Sequence, residues 1–145
     1  SRADWLIEKC VEAGVDAIFP VLTRRGVATA EGASRRERWG RLASEAAKQC
    51  GRAGLPEILE PRPLAEVLEL TSSWPVRLVA DPEGGPPGSV PHGDAVVFVG
   101  PEGGFAPDEL TAMAAFPRLR LAPDILKVET AAVLAAAALA LRGAP

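Results

Sequence analysis

Cysteine and histidine are scarce in this sequence: two cysteines and one histidine in 145 residues. Cys10 and Cys50 have no third thiol to join them, and His92 is the one imidazole available, so neither a zinc cluster nor a disulfide framework is indicated. No metal is expected, and both cysteines read as helix-packing residues in a reducing, cytoplasmic compartment. Long apolar runs are missing too. The longest, Ala131 to Leu141, is rich in alanine and shorter than the roughly 20 residues a membrane span requires, and no signal peptide is legible ahead of the first helical pattern. Neither glycine-rich loop ends in Lys-Ser or Lys-Thr, which speaks against an enzyme that cradles nucleotide phosphates. The opening Ser1, followed at once by that helical pattern, points to a fragment or a processed product.

What the chain does have is enough apolar material, 48% of its residues, for one compact domain. At this length it can bury about 70% of the surface its unfolded chain exposes. Its charge is mildly acidic overall, −3, but unevenly spread. Residues 24–52 hold eight basic groups (Arg24, Arg25, Arg35, Arg36, Arg38, Arg41, Lys48, Arg52) against Glu31, Glu37 and Glu45, a net of +5, which leaves the remainder at −8. Such a local excess is either a solvated helix face or an attraction for phosphates.

Short apolar runs alternate with helical patterns. Residues 3–13 place Leu6, Cys10 and Ala13 on one stripe, with Gly14 as the stop. A strand is expected from Asp16 to Leu22, a polar loop over 23–33, and a long helix from a capping Ser34 to about Gly51. Pro56 to Leu59 reads as a short strand and Leu64 to Leu70 as a helix. Strand Val76 to Ala80 enters a Gly-Pro-rich loop over 81–93. Strand Ala95 to Val99, helix Pro107 to Ala115, strand Arg118 to Leu121 and a closing helix from about Glu129 to Leu141 follow. The alternation predicts an α/β fold with a mainly parallel sheet flanked by helices.

The most informative stretch is Ala95-Val-Val-Phe-Val-Gly-Pro-Glu-Gly-Gly-Phe105, a buried strand delivering a loop of three glycines and a proline. Glycine serves where a backbone takes positive φ or lets a ligand approach, so the backbone itself is the expected binding surface. Glu102 at its centre repels phosphate and favours a neutral or cationic small molecule. Asp81-Pro-Glu-Gly-Gly85 echoes this turn after Val76 to Ala80. Ligands of open α/β sheets sit in the crevice at the carboxyl ends of strands, where both loops would lie.

Two further segments carry side-chain chemistry. On the long helix, Trp39, Leu42, Ala43, Ala46 and Cys50 form an apolar stripe, while Glu45, Lys48, Gln49 and Arg52 recur on another face at helical spacing. That second row is either a surface row with internal pairing or a hydrogen-bonding row suited to a base edge and phosphates; spacing leaves both open. The segment Leu121 to Ala132 fits neither period before it turns helical. Leu121, Ile125 and Leu126 would be costly to expose together and are expected to line an apolar pocket, with Glu129 and Thr130 at the helix start; the alternative is a loop covering the sheet edge.

Taken in order, these motifs resemble the SPOUT-superfamily methyltransferases that modify uridine N3 in small-subunit (16S) ribosomal RNA. The match runs through Trp5-Leu-Ile-Glu-Lys-Cys10 and Glu12-Ala-Gly-Val15, Thr23-Arg-Arg25, Arg38-Trp39 with Glu45 to Arg52, Gly100 to Phe105, and Leu121 to Ala132. The resemblance implies a carboxyl-terminal trefoil knot, an obligate homodimer with its active site at the interface, and S-adenosyl-L-methionine held among three loops. Backbone at Val79, Ala80, Gly100, Gly104, Leu121 and Leu126 would hold this cofactor with Ile125 packing on it, and Glu102, Gly103, Glu129 and Thr130 belong to the same loops. Arg25 and Arg52 would stabilise the anion and grip RNA; Glu45 and Gln49 would position the base. The implied extent is one methyltransferase domain over residues 1–145, the family's amino-terminal PUA-like RNA-binding barrel having no counterpart here.

Two positions depart from the pattern: Asp124 and Lys127 stand where the family carries arginines. Asp124 cannot serve as an RNA-phosphate contact, and a lysine lacks the planar fork of arginine. Methylation at another RNA position, a ribose 2′-hydroxyl or a tRNA base, and a non-catalytic cofactor- or RNA-binding module are the alternatives.

Overall fold

The computed structural model describes residues 1–26 and 32–142. Helix α1 (Arg2–Glu12) starts on Ser1, whose hydroxyl accepts the backbone N–H of Asp4 at 3.3 Å, and stops at Gly14, whose φ of +101° suits only glycine. Its buried face is Ile7, Cys10 and Val11 with Leu6 alongside, while Ala13, expected on that stripe, caps the helix end. The expected strand from Asp16 to Leu22 is two short ones, β1 (Ala17–Ile18) and β2 (Val21–Leu22). Pro20 lies between them and has no N–H to give to a ladder.

Helix α2 (Gly32–Gln49) begins ahead of Ser34, which therefore lies in its first turn instead of capping it. Ala43, Ala46 and Ala47 are buried, and their small side chains let α1 pack closely; Ile58 is buried with them, and Trp39, Leu42 and Ile18 sit at the edge of this cluster. Cys50, expected in the stripe, is exposed, because it falls just past the last helical residue. Beyond it, β3 (Glu57–Ile58) pairs parallel with β1, and β4 (Arg62–Pro63), which the sequence did not reveal, pairs parallel with β2. Helix α3 (Leu64–Leu70) follows directly and buries Leu64 and Val67.

The second half builds the sheet that positions the site. Strand β5 (Val76–Gly85) lies between β6 (Ala95–Phe98) and β7 (Arg118–Leu119), all parallel, with Val79 opposite both Phe98 and Arg118. Helix α4 (Pro107–Ala112) joins β6 to β7, and α5 (Val128–Leu141) packs against α1 and β6. Among the described residues every pairing is parallel, as an α/β alternation requires, although the strands form three small sheets instead of one. A core of Val79, Phe98, Phe105 and Met113 closes over α3, and burial of each such side chain contributes about 1.5–3 kcal/mol.

One expected loop is largely strand. Residues 81–85 belong to β5, which bulges so that Leu119 is opposite Ala80 and again opposite Gly85. The N–H of Arg120 donates to Gly85 O at 2.8 Å and closes the bulge. A Cβ at Gly84 would stand 2.6 Å from the Arg118 carbonyl, so only glycine lets the two strands approach here.

Candidate ligand cavity and its glycine loop

Where β5 bulges and β6 ends, the two strands meet the segment that follows β7, and the three surround a cavity of about 320 Å³. Val79 and Ala80 form one wall, Gly100, Glu102 and Gly104 the second, and Leu121, Ile125 and Leu126 the third, all at positions expected from the sequence. Gly103, Glu129 and Thr130 do not line it. Gly103 faces the Arg25 side chain, and in the first turn of α5 Val128 and Ala131 look into the cavity in place of Glu129 and Thr130.

The second wall is backbone. Pro101 to Gly104 is a turn closed by the Gly104 N–H donating to Pro101 O at 2.8 Å, with Gly104 at φ +76°. A Cβ on Gly104 would meet nothing within 4 Å, while one on Gly100 would stand 3.2 Å from the Phe105 ring. The first glycine is thus required for packing and the second for left-handed backbone that leaves space beside the loop. On the third wall Leu121 and Leu126 are half-buried, and Ile125 is 87% exposed at the rim, offering apolar surface to whatever enters.

Four charged residues join the lining: Asp81, Glu102, Asp124 and Arg118. The Asp81 carboxylate accepts the Glu83 N–H at 2.8 Å and a bond from the Arg118 guanidinium. The Glu83 N–H, then the Arg118 guanidinium, hold it below the usual carboxylate range. Among the described residues no group of acids, cysteines or histidine is arranged to hold a metal ion.

The turn after β2 is docked onto the glycine loop. Arg25 Nη1 donates to Gly103 O at 3.0 Å and to Phe105 O at 3.4 Å. Its neighbour Arg24 pairs with Asp108 at 2.8 Å, and the Arg24 backbone N–H donates to Glu109 Oε2 at 3.3 Å. Glu109 is only 7% exposed, and its other oxygen accepts the Ala106 N–H at 2.8 Å at the start of α4. One buried carboxylate therefore ties the turn, the glycine loop and α4 together. The sequence reading missed this residue, although a glutamate three positions after a helix cap is the second half of a capping box.

The remaining candidates lie at the far end of α2. Glu45 and Gln49 are exposed, and none of Glu45, Gln49 and Arg52 lines the cavity. The Arg52 guanidinium donates to Val15 O, to Val11 O at 3.3 Å and to Asp16 Oδ1 at 2.9 Å, which ties the end of α2 to the end of α1. Of the four side chains expected to act on RNA, the structure brings Arg25 to the glycine loop. Of the two departures from the family pattern, Asp124 lines the cavity and Lys127 precedes α5 without lining it.

Residues 1–140 match a family model described as an RNA methyltransferase domain. A small-subunit ribosomal RNA methyltransferase E from Mycobacterium bovis is 33% identical, aligned over 92% of this chain and 56% of its own length. Its counterpart from Bacillus subtilis is 29% identical over 95% of this chain and 60% of its own length. The chain therefore spans about three-fifths of the curated relatives it matches. Among solved structures, a ribosomal RNA small subunit methyltransferase E from Neisseria gonorrhoeae, bound to S-adenosyl methionine, superposes with a TM-score of 0.83 at 33% identity, covering 94% of this chain and 59% of that one. A Legionella pneumophila protein solved with bound cofactor SAM superposes at 0.86 and 28% identity, over 96% of this chain and 60% of that one.

Proposed function

We propose, from the premise that this chain belongs to the RNA methyltransferase domain family, that it transfers a methyl group from S-adenosylmethionine to N3 of a uridine in small-subunit ribosomal RNA. The observation that carries this is the cavity: the bulge of β5, the glycine loop after β6 and the 121–126 segment meet around it, in a chain that superposes closely on a relative bound to that cofactor. The residues present fit it. Open space beside Gly104, apolar surface on Leu121, Ile125 and Leu126, and carboxylates in place of phosphate-binding lysine suit a molecule with a cationic centre and an apolar body. When bound there, S-adenosylmethionine supplies an electrophilic methyl carbon on a sulfonium.

The chain's own residues supply the remaining requirements. The N3 proton of uracil must leave for the nitrogen to attack, and the charge that develops needs a fixed cation. Arg25 fills that role, since a guanidinium stays protonated and two loop carbonyls hold it against the glycine loop. It stabilises the anion and leaves the proton to another acceptor. Glu45, Gln49 and Arg52 form the base-positioning and RNA-gripping row, and since they do not line the cavity of their own chain they act on that of a partner copy across a homodimer. Residues 1–145 make up the methyltransferase domain in this reading, with the trefoil knot at its carboxyl-terminal end, and the protein works in the cytoplasm on the small subunit. Among the described residues no helix is long and apolar enough to cross a membrane.

Mass spectrometry of ribosomal RNA nucleosides from cells lacking the protein tests the substrate atom. N3-methyluridine is expected to disappear from the small subunit; its persistence overturns the proposal, and loss of a ribose-methylated nucleoside instead moves the reaction to a 2′-hydroxyl. In vitro, Arg25→Ala is expected to slow methylation of assembled small subunits about 100-fold. If neither Arg25→Ala nor Arg52→Ala changes methylation, the assignment of these two residues is wrong. Cofactor binding without any transfer would identify a binding module.

A further inference from the structure

We infer that the carboxylates around this cavity make it selective for the positive charge of the methyl donor, so that the neutral thioether left after transfer is held more weakly, with Asp124 a principal source of the difference. This rests on the reading of the cavity as the cofactor site. Three carboxylates and one guanidinium line it, and they come from all three walls: Asp81 and Arg118 from adjacent strands, Glu102 from the glycine loop, Asp124 from the segment after β7. Asp81 and Arg118 neutralise each other by direct pairing. Glu102 and Asp124 have no hydrogen-bond or ion-pair partner among the described residues, which leaves two uncompensated negative charges on opposite loops.

The other charged groups nearby do not cancel these two. Arg25 donates to Gly103 O and Phe105 O, Lys127 precedes α5, and among the described residues neither lines the cavity or forms an ion pair with Glu102 or Asp124. Transfer of the methyl group breaks the S–CH₃ bond, leaves its electron pair on sulfur and so removes one positive charge from the ligand, while the uracil proton leaves separately. Attraction to Glu102 and Asp124 ends with that step. For a unit charge several ångströms from a water-exposed carboxylate, the loss corresponds to about threefold to tenfold in affinity per carboxylate, more at low salt. Product leaves more readily than substrate without any movement of the loops.

Calorimetry on the intact chain with three probes tests this: S-adenosylmethionine, an isosteric analogue carrying an ammonium group in place of the methylsulfonium, and S-adenosylhomocysteine. Both cationic probes are expected to bind roughly tenfold tighter than the thioether at low ionic strength, with the gap narrowing as salt is raised. Asp124→Asn should shrink the gap about threefold with thioether affinity unchanged, and Asp124→Arg should shrink it further. Both substitutions lie at an exposed position, and circular dichroism confirms that each variant is folded. Equal affinity for cationic and neutral probes in the unmodified protein, or a gap that Asp124→Asn leaves as it was, overturns the inference while leaving the cofactor reading standing. Failure of all three probes to bind removes both.

Discussion

Cys10 lies on the buried face of α1 at 4% exposure, and burial pushes its thiol from the ordinary 9.0 up to about 11. The fold thus favours the neutral thiol. That contribution is fully present below the unfolded value and is lost as pH rises through about 11, so Cys10 adds an alkaline limit to stability. Cys50 is exposed, its sulfur 3.6 Å from the Ala47 carbonyl. Treated with iodoacetamide near pH 8, native protein should be alkylated at Cys50 and spared at Cys10, with both modified once urea unfolds the chain; peptide mass mapping reads the result, and equal native labelling would contradict the burial described. Both cysteines looked alike in the sequence because both fall on apolar helical stripes. What separates them is position along the helix: Cys10 lies within α1, whereas α2 ends one residue before Cys50 and turns away from the core.

Among the elements, the turn over residues 23–26 and the glycine loop work as one unit because Glu109 accepts an N–H from each side. Glu109→Ala would leave the buried Ala106 N–H without a partner, at a cost of about 1–3 kcal/mol, and would free Arg25 from its fixed place against the loop. The expected result is a lower urea midpoint together with slower methylation. Glu109→Gln, which keeps one acceptor, should restore stability more fully than activity, and identical recovery of both would reduce Glu109 to a helix cap. The unit of β6 and its glycine loop was legible in the sequence because it is written locally, in an apolar run that stops at Gly100-Pro-Glu-Gly-Gly104. The Arg24 to Glu109 contact was not, since it spans 85 residues and depends on where β2 lands beside α4. The bulge in β5 was hidden for the same reason: Asp81 to Gly85 has the composition of a loop, and only the return of Leu119 gives it a ladder partner.

For the molecule as a whole, α5 is out of keeping with a surface helix. From Ala131 to Leu141 it carries no charged side chain, yet Ala135 is its one buried residue, and Leu134 and Leu141 stand exposed. A helix apolar on every side needs cover on every side, and α1 and β6 cover part of it. The proposed homodimer supplies the rest. Leu134→Asp is expected to yield a monomer in sedimentation at concentrations where the unmodified protein is a dimer, with methylation lost because the α2 row no longer reaches a partner; a dimer that survives the substitution places the interface elsewhere. The order of the walls along the chain has a consequence for synthesis. The cavity draws on residues from three stretches that follow one another along the chain, ending with Val128 and Ala131, so a chain emerging from the ribosome holds two of its three sides while the third is still being made. Leu119 must arrive before β5 has both partners, and α5 before the 121–126 segment is anchored at its far end. A nascent chain therefore completes the cavity in one late step, and a chain cut short of residue 121 lacks its third wall.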